Sequence, residues 1–204
     1  MLVIGLTGSI GMGKSAAAAR FRARGIPVFD ADAAVHDIYR TTAVAPIEAA
    51  FPGSTAAGEV DRQALAKRLL ADPSGYKTLE AIVHPLVKAA ERDFLHACHT
   101  GKHPLAVLEI PLLFETGGHS RVDVTVVVSA TFEQQKQRVL ARPGMTEEKF
   151  AQIVSRQMPD SEKRARADFV VDTSGTLAET DARIDRIIAN LSGRPASAFD
   201  KFWR

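Results

Sequence analysis

Five short apolar runs punctuate this 204-residue chain, and between most of them the apolar positions fall at helical spacing. The first run is Leu2 to Leu6, and "GIPVFDAD", "PLAVLEIPLLF", "RVDVTVVVSA" and "DFVVDTSG" carry the others. Near-continuous apolar runs of this length suit strands covered on both faces, as in a parallel sheet. Helical signals lie between them. Ala16 to Arg24 reads as a helix ending at Gly25. Thr131 with Gln134 and Thr176 with Glu179 have the spacing of capping boxes. Ile184, Ile187, Ile188 and Leu191 share one face of a last long helix. Strand and helix alternating in this way predict an α/β fold with a parallel sheet flanked by helices.

Two segments break the alternation. From about Ala33 to Gly101 the pattern is helical, interrupted by "FPGS", "DPSG" and "HPL", with no convincing strand. This predicts a helical insertion large enough to form a substrate-binding lobe. Residues 131–167 are dense in cations: Lys136, Arg138, Arg142, Lys149, Arg156, Lys163, Arg164 and Arg166. The expected organisation is therefore a core built from 1–32, 102–130 and 168–204, a lobe over 33–101 and a lid over 131–167. The tail "GRPASAFDKFWR" is expected to dock Phe199, Phe202 or Trp203 on the body.

Charge and composition narrow the class only a little. A net charge of +2 is too small to argue for nucleic acid. The single cysteine, Cys98, excludes an intrachain disulfide and fits a reducing compartment. No stretch is apolar for long enough to span a bilayer, and the chain runs from its first residues into a glycine-rich loop. The expectation is a cytoplasmic enzyme, monomeric or a small homo-oligomer, acting on a small molecule rather than on a membrane or nucleic acid.

The loop carries the chemistry. "GSIGMGKS" places Gly8, Gly13, Lys14 and Ser15 in the spacing of a phosphate-binding P-loop, between a strand and a helix as that motif requires. Glycines let the backbone turn N–H groups inward, and the following helix presents its positive end. Lys14 would reach the β- and γ-phosphates, and Ser15 would offer a hydroxyl to Mg²⁺. Three carboxylates then compete for the reacting end. Asp30 and Asp32 follow the second apolar run, and Glu109 interrupts the third. Ligands of open parallel sheets bind outside the carboxyl ends of the strands, where such a group can orient an acceptor hydroxyl and take its proton. Spacing alone does not choose between Asp30 and Asp32, which alternation sends to one side. Asp32 lies further out, towards the insertion; Asp30 doubles as a helix cap. Glu109 must face water, a cation or a metal.

The ordered segments "LTGSIGMGKS", "GIPVFDAD", "HPL", "IPLLFE" and "RQMPDSEKRARADFVVDTSG" resemble dephospho-CoA kinases over nearly the whole chain. The resemblance implies a P-loop kinase fold and transfer of phosphate from ATP, with Mg²⁺, to the ribose 3′-hydroxyl of dephospho-CoA. Residue by residue, it assigns Gly8 and Gly11, Met12, Gly13, Lys14, Ser15 and Ala16 to ATP. Asp32 becomes the base or positioning group beside the acceptor. Arg138 and Arg142 fall on the lid, turned to ATP. His84, Leu112, Leu113 and Glu115 would line the acceptor pocket, and Ser15 and Glu109 would serve the metal. Packing competes for Leu112 and Leu113, and a helix start at Pro85 competes for His84. The chain departs from the family pattern at Ser9, Met12, Ala16 and Glu109. A nucleoside monophosphate kinase is the nearest alternative, yet the span from Ala33 to Ala66 holds only Arg40 and Arg62 to clamp a phosphate acceptor.

Overall fold

The computed structural model describes residues 1–204 as two compact units, Met1–Phe29 with Leu95–Arg204, and Asp30–Phe94. The first unit is organised by a five-stranded sheet. Its strands are β1 (Leu2–Thr7), β2 (Val28–Asp30), whose last residue belongs to the second unit, β5 (Leu105–Glu109), β6 (Val124–Ser129) and β7 (Phe169–Asp172). The sheet order is β2-β5-β1-β6-β7, and β1 runs parallel to both β5 and β6. β6 and β7 are likewise parallel. Every residue of β1, β5 and β6 is buried, which is why these strands read as apolar without alternation.

Helix α1 (Lys14–Ala23) follows the loop, and α9 (Leu177–Leu191) closes the fold. Ile184, Ile187 and Leu191 bury together with Ala17, Ala18 and Phe21 of α1 against the sheet. Arg20 and Arg24 both reach the carboxylate of Asp185, tying α1 to α9 at the outer surface. Thr176 and Glu179 complete the expected capping box, and the Thr131 hydroxyl accepts the Gln134 N–H at the start of α6 (Phe132–Leu140). Two more short helices, α7 (Glu147–Ser155) and α8 (Asp160–Arg166), fill the basic stretch before β7. The tail docks through Phe199 and Trp203. Phe199 stacks on His99, and the Trp203 indole N–H donates to the Arg121 carbonyl at 2.8 Å. Phe202 stays half exposed.

The second unit contains α2 (Ala31–Ile38), α3 (Val44–Ala50), α4 (Arg62–Ala71) and most of α5 (Gly75–Thr100). Ile38, Ile47, Phe51, Leu65, Leu69 and Val83 form its own apolar core. Two sequence expectations fail here. The insertion does contain strands: β3 (Thr55–Ala56) pairs antiparallel with β4 (Glu59–Val60). With two residues each they leave no periodic signal, and only the Ala57-Gly58 turn, both residues at positive φ, marks them. Pro85, expected to break or start a helix, lies inside the 26-residue α5. Leu79, Ile82, Leu86 and Val87 pack on the unit's core from both sides of it, so burial outweighs the hydrogen bond the proline forfeits.

Candidate active site

At the carboxyl end of β1 the chain turns through Gly8–Gly13 into α1, and the surroundings explain each glycine's necessity. A Cβ on Gly8 would lie 2.5 Å from a Val128 methyl and 2.6 Å from its carbonyl oxygen. Gly13 holds φ +90° at the N-cap of α1, a conformation a side chain would strain, and a Cβ there would press on Thr173 at 3.0 Å. The loop is thus packed too closely on Val128 and Thr173 for side chains at these two glycines. Lys14 opens α1 and folds its ammonium back to the Gly8 carbonyl at 3.0 Å, so its charge sits over the loop. Ser15 is exposed in the first helical turn, a position where the helix dipole favours an anion or a metal-bound phosphate.

Neighbouring elements hold this loop in place. The Arg138 guanidinium donates to the Thr173 carbonyl at 2.7 Å and lies 3.4 Å from the Gly11 carbonyl. The Thr173 hydroxyl donates to the Met12 carbonyl at 2.9 Å. The Gln135 side-chain amide donates to the Ile10 carbonyl at 2.9 Å, and the Gln157 side-chain oxygen accepts the Ile10 N–H at 3.1 Å. A cavity of about 450 Å³ opens beside the loop, lined by Ser9, Met12, Gln135, Gln157, Met158 and Asp160 among others. Gln135 had no place in the sequence reading, and Gln157 and Thr173 stood in the late segment that carried the family resemblance without a role of their own. Each acts on the loop from more than 120 residues away, so no local pattern reports it.

Glu109 ends β5, in register with Leu6, and keeps only 7% of its surface accessible. A carboxylate so buried at the loop edge of the sheet has the chemistry of a cation partner. Arg142 is exposed just past the end of α6. In the segment after β5 three expected acceptor-side residues, Leu112, Leu113 and Glu115, separate by environment. Leu113 is fully buried, and a Cβ on Gly5 would meet it at 2.7 Å. Leu112 is 39% exposed and remains available. Leu113→Ala should therefore cost about 2–5 kcal/mol in chemical denaturation, whereas Leu112→Ala should cost under about 1 kcal/mol. Equal losses would contradict the assignment.

The Glu115 carboxylate is already engaged: Lys163 lies 2.8 Å from it, and the Met158 N–H donates to it at 2.9 Å. Burial pushes this carboxyl up, but the Lys163 ammonium and the Met158 N–H outweigh burial and hold it below the usual carboxylate range. The stabilisation it contributes is therefore present at neutral pH and lost on acidification through its lowered value.

In the second unit, Asp30 caps α2, its carboxylate accepting the Ala33 N–H at 3.0 Å. The chain turns into the helix at that residue, so Asp32 does not continue strand alternation as expected. It stands exposed in the first turn of α2, two residues beyond the end of β2. His84 is exposed on α5, one residue before Pro85 and well inside the helix, so it is neither a helix start nor a packed ring.

The family model for dephospho-CoA kinase matches residues 2–179. The chain belongs to the dephospho-CoA kinase family. It is 55% identical over 196 residues to a dephospho-CoA kinase of Rhizobium etli, covering 96% of this chain and 97% of that one. It is 53% identical to one of Rhodopseudomonas palustris over 195 residues, covering 96% and 98%. Among solved structures, TT1252 from Thermus thermophilus superposes with a TM-score of 0.83 at 39% identity, over 94% of this chain and 98% of that one. A shikimate kinase from Acinetobacter baumannii, at 17% identity and a TM-score of 0.52 over 95% and 96%, shares the fold alone. The protein is a phosphotransferase with the P-loop kinase fold, and no helix in it is long and apolar enough to cross a membrane.

Proposed function

We propose that this protein transfers the γ-phosphoryl group of ATP to the ribose 3′-hydroxyl of dephospho-CoA, completing coenzyme A. The observation that carries the reading is the glycine loop after β1, where a Cβ on Gly8 would clash and the Lys14 ammonium lies on the Gly8 carbonyl, in a chain matched by the family model over residues 2–179. Phosphoryl transfer of this kind is achieved chiefly by positioning and by neutralising charge on the transferring group.

The roles divide as follows. N–H groups of Gly11 to Ala16 hold the phosphates, and Lys14 offsets charge on the β- and γ-phosphates. Arg138 adds a cation beside Gly11, and Arg142 a second from the end of α6. Asp32 orients the acceptor hydroxyl and accepts its proton, giving an oxygen that attacks phosphorus as the bond to ADP breaks. Leu112 and His84 contact the acceptor. The Ser15 hydroxyl and the Glu109 carboxylate are the groups that would hold Mg²⁺. When bound, it neutralises charge shared by the β- and γ-phosphates. Residues 131–167 serve as the lid that excludes water, itself a competing acceptor. The buried free thiol of Cys98 supports a reducing, cytoplasmic setting.

The test is acceptor dependence. ADP release by purified protein with MgATP should rise with dephospho-CoA and stay at the no-acceptor level with AMP, CMP or dTMP. Turnover with a monophosphate alone would keep the loop assignment and overturn the acceptor.

A further inference from the structure

The segment Gln157-Met158-Pro159, between α7 and α8, and the start of α8 are fastened at four points. Gln157 takes the Ile10 N–H of the phosphate loop. The Met158 N–H donates to Glu115, beyond the end of β5. Immediately after, Asp160 accepts the Ser129 hydroxyl at 2.7 Å at the end of β6. Lys163, whose side chain is 0% exposed, meets Glu115 at 2.8 Å. A fully buried ammonium demands such a partner.

The geometry at Ile10 says what the fastening does. A peptide group is planar, so holding one of its polar atoms orients the other. The Ile10 carbonyl, held by Gln135, shares its plane with the Gly11 N–H. The Ile10 N–H, held by Gln157, shares its plane with the Ser9 carbonyl, which also accepts the Met12 N–H at 3.2 Å. Both peptide planes that lead into the phosphate-facing stretch are therefore set by side-chain amides from outside the loop. One of those amides stands on a segment that Glu115 and Lys163 hold.

We infer that Glu115 is a positioning residue for the phosphate loop, acting through Met158 and Gln157 on Ile10, rather than a direct ligand of the acceptor. The inference rests on the loop holding ATP. It differs from the family-based role for Glu115 in which substrate it affects: its loss weakens ATP, not dephospho-CoA.

The experiment compares the full-length protein with Gln157→Ala, with the paired change Glu115→Leu and Lys163→Met, and with all three together. The paired change leaves no buried charge unpartnered, so the chain still folds. ATP affinity is measured by calorimetry without any acceptor, and KM for dephospho-CoA by turnover at saturating ATP. Gln157→Ala and the paired change should each weaken ATP about five- to tenfold, with KM for dephospho-CoA within about twofold. The combined variant should be at most about twofold weaker than the worse of its parts, because both cut one chain of contacts. A raised KM for dephospho-CoA with unchanged ATP affinity would overturn the inference and return Glu115 to the acceptor. Fully multiplicative losses would overturn the link between Glu115 and Gln157. Lys14→Ala runs alongside: undiminished ATP affinity in that variant would defeat the loop assignment itself, a separate failure.

Discussion

Asp32→Asn should lower kcat by about 10²–10⁴-fold while leaving ATP affinity within about twofold of the parent. The asparagine keeps the size and the hydrogen-bonding reach of the carboxylate but cannot take a proton from the acceptor hydroxyl. The fold should tolerate it. Asp32 is exposed, and its favourable position in the first turn of α2 is worth only about 0.3–1 kcal/mol. Asp30→Asn is the matched control. Asparagine caps a helix about as well as aspartate, so α2 should persist and turnover should stay near the parent's. The two carboxylates stand two residues apart, so the pair of variants separates a chemical role from a capping one. Stopped-flow or steady-state kinetics with ATP titrations decides the matter. A near-normal kcat in Asp32→Asn, or a collapse in Asp30→Asn, would exchange the roles.

Lys14→Ala should lose at least about a hundredfold in kcat/KM for ATP, the loss expected when one preorganised charge is taken from a developing anion. Lys14 is half-buried, and its ammonium lies on the Gly8 carbonyl above the loop, so its deletion removes charge where the phosphates would sit. The backbone of the loop should survive, since Thr173, Arg138, Gln135 and Gln157 hold it independently. The thermal midpoint should accordingly move by only a few degrees, about what 1 kcal/mol shifts in a domain of this size. Lys14→Arg makes a useful companion, because a wider planar cation does not replace a compact one in a cradle this tight. Full activity in Lys14→Ala would refute the phosphate reading of the loop.

What the sequence made legible was what repeats or punctuates. Strands β1, β5 and β6 were readable because burial on both faces leaves unbroken apolar runs, and α9 because its isoleucines recur on one face. The loop was readable because Gly8, Gly13 and Lys14 answer to fixed local geometry. Features decided by tertiary contact were not. β3 and β4 are too short to carry a period. Pro85 was read as a boundary, yet the apolar face on either side of it pulls the helix through. Leu112 and Leu113 are indistinguishable by composition and differ only in which way the chain turns after β5.

The same limit applies to the site. Asp32 and Lys14 sit in motifs whose chemistry is local, whereas Gln135 sits in none, and the late segment that holds Gln157 and Thr173 does not say that they bond the loop. The contacts of Glu115 were not legible either. Its motif marked it as functional, while its partner Lys163 was one cation among eight in a basic stretch. Lys163 alone of these is reduced to 0% exposure by the fold.

The most direct measurement is product analysis by mass spectrometry and phosphorus NMR after incubating the purified protein with dephospho-CoA and γ-labelled MgATP. The account predicts that label leaves ATP, appears in coenzyme A on the ribose 3′-oxygen, and does so in step with ADP. Label found only in inorganic phosphate, or on a different acceptor while dephospho-CoA stays unmodified, would contradict it.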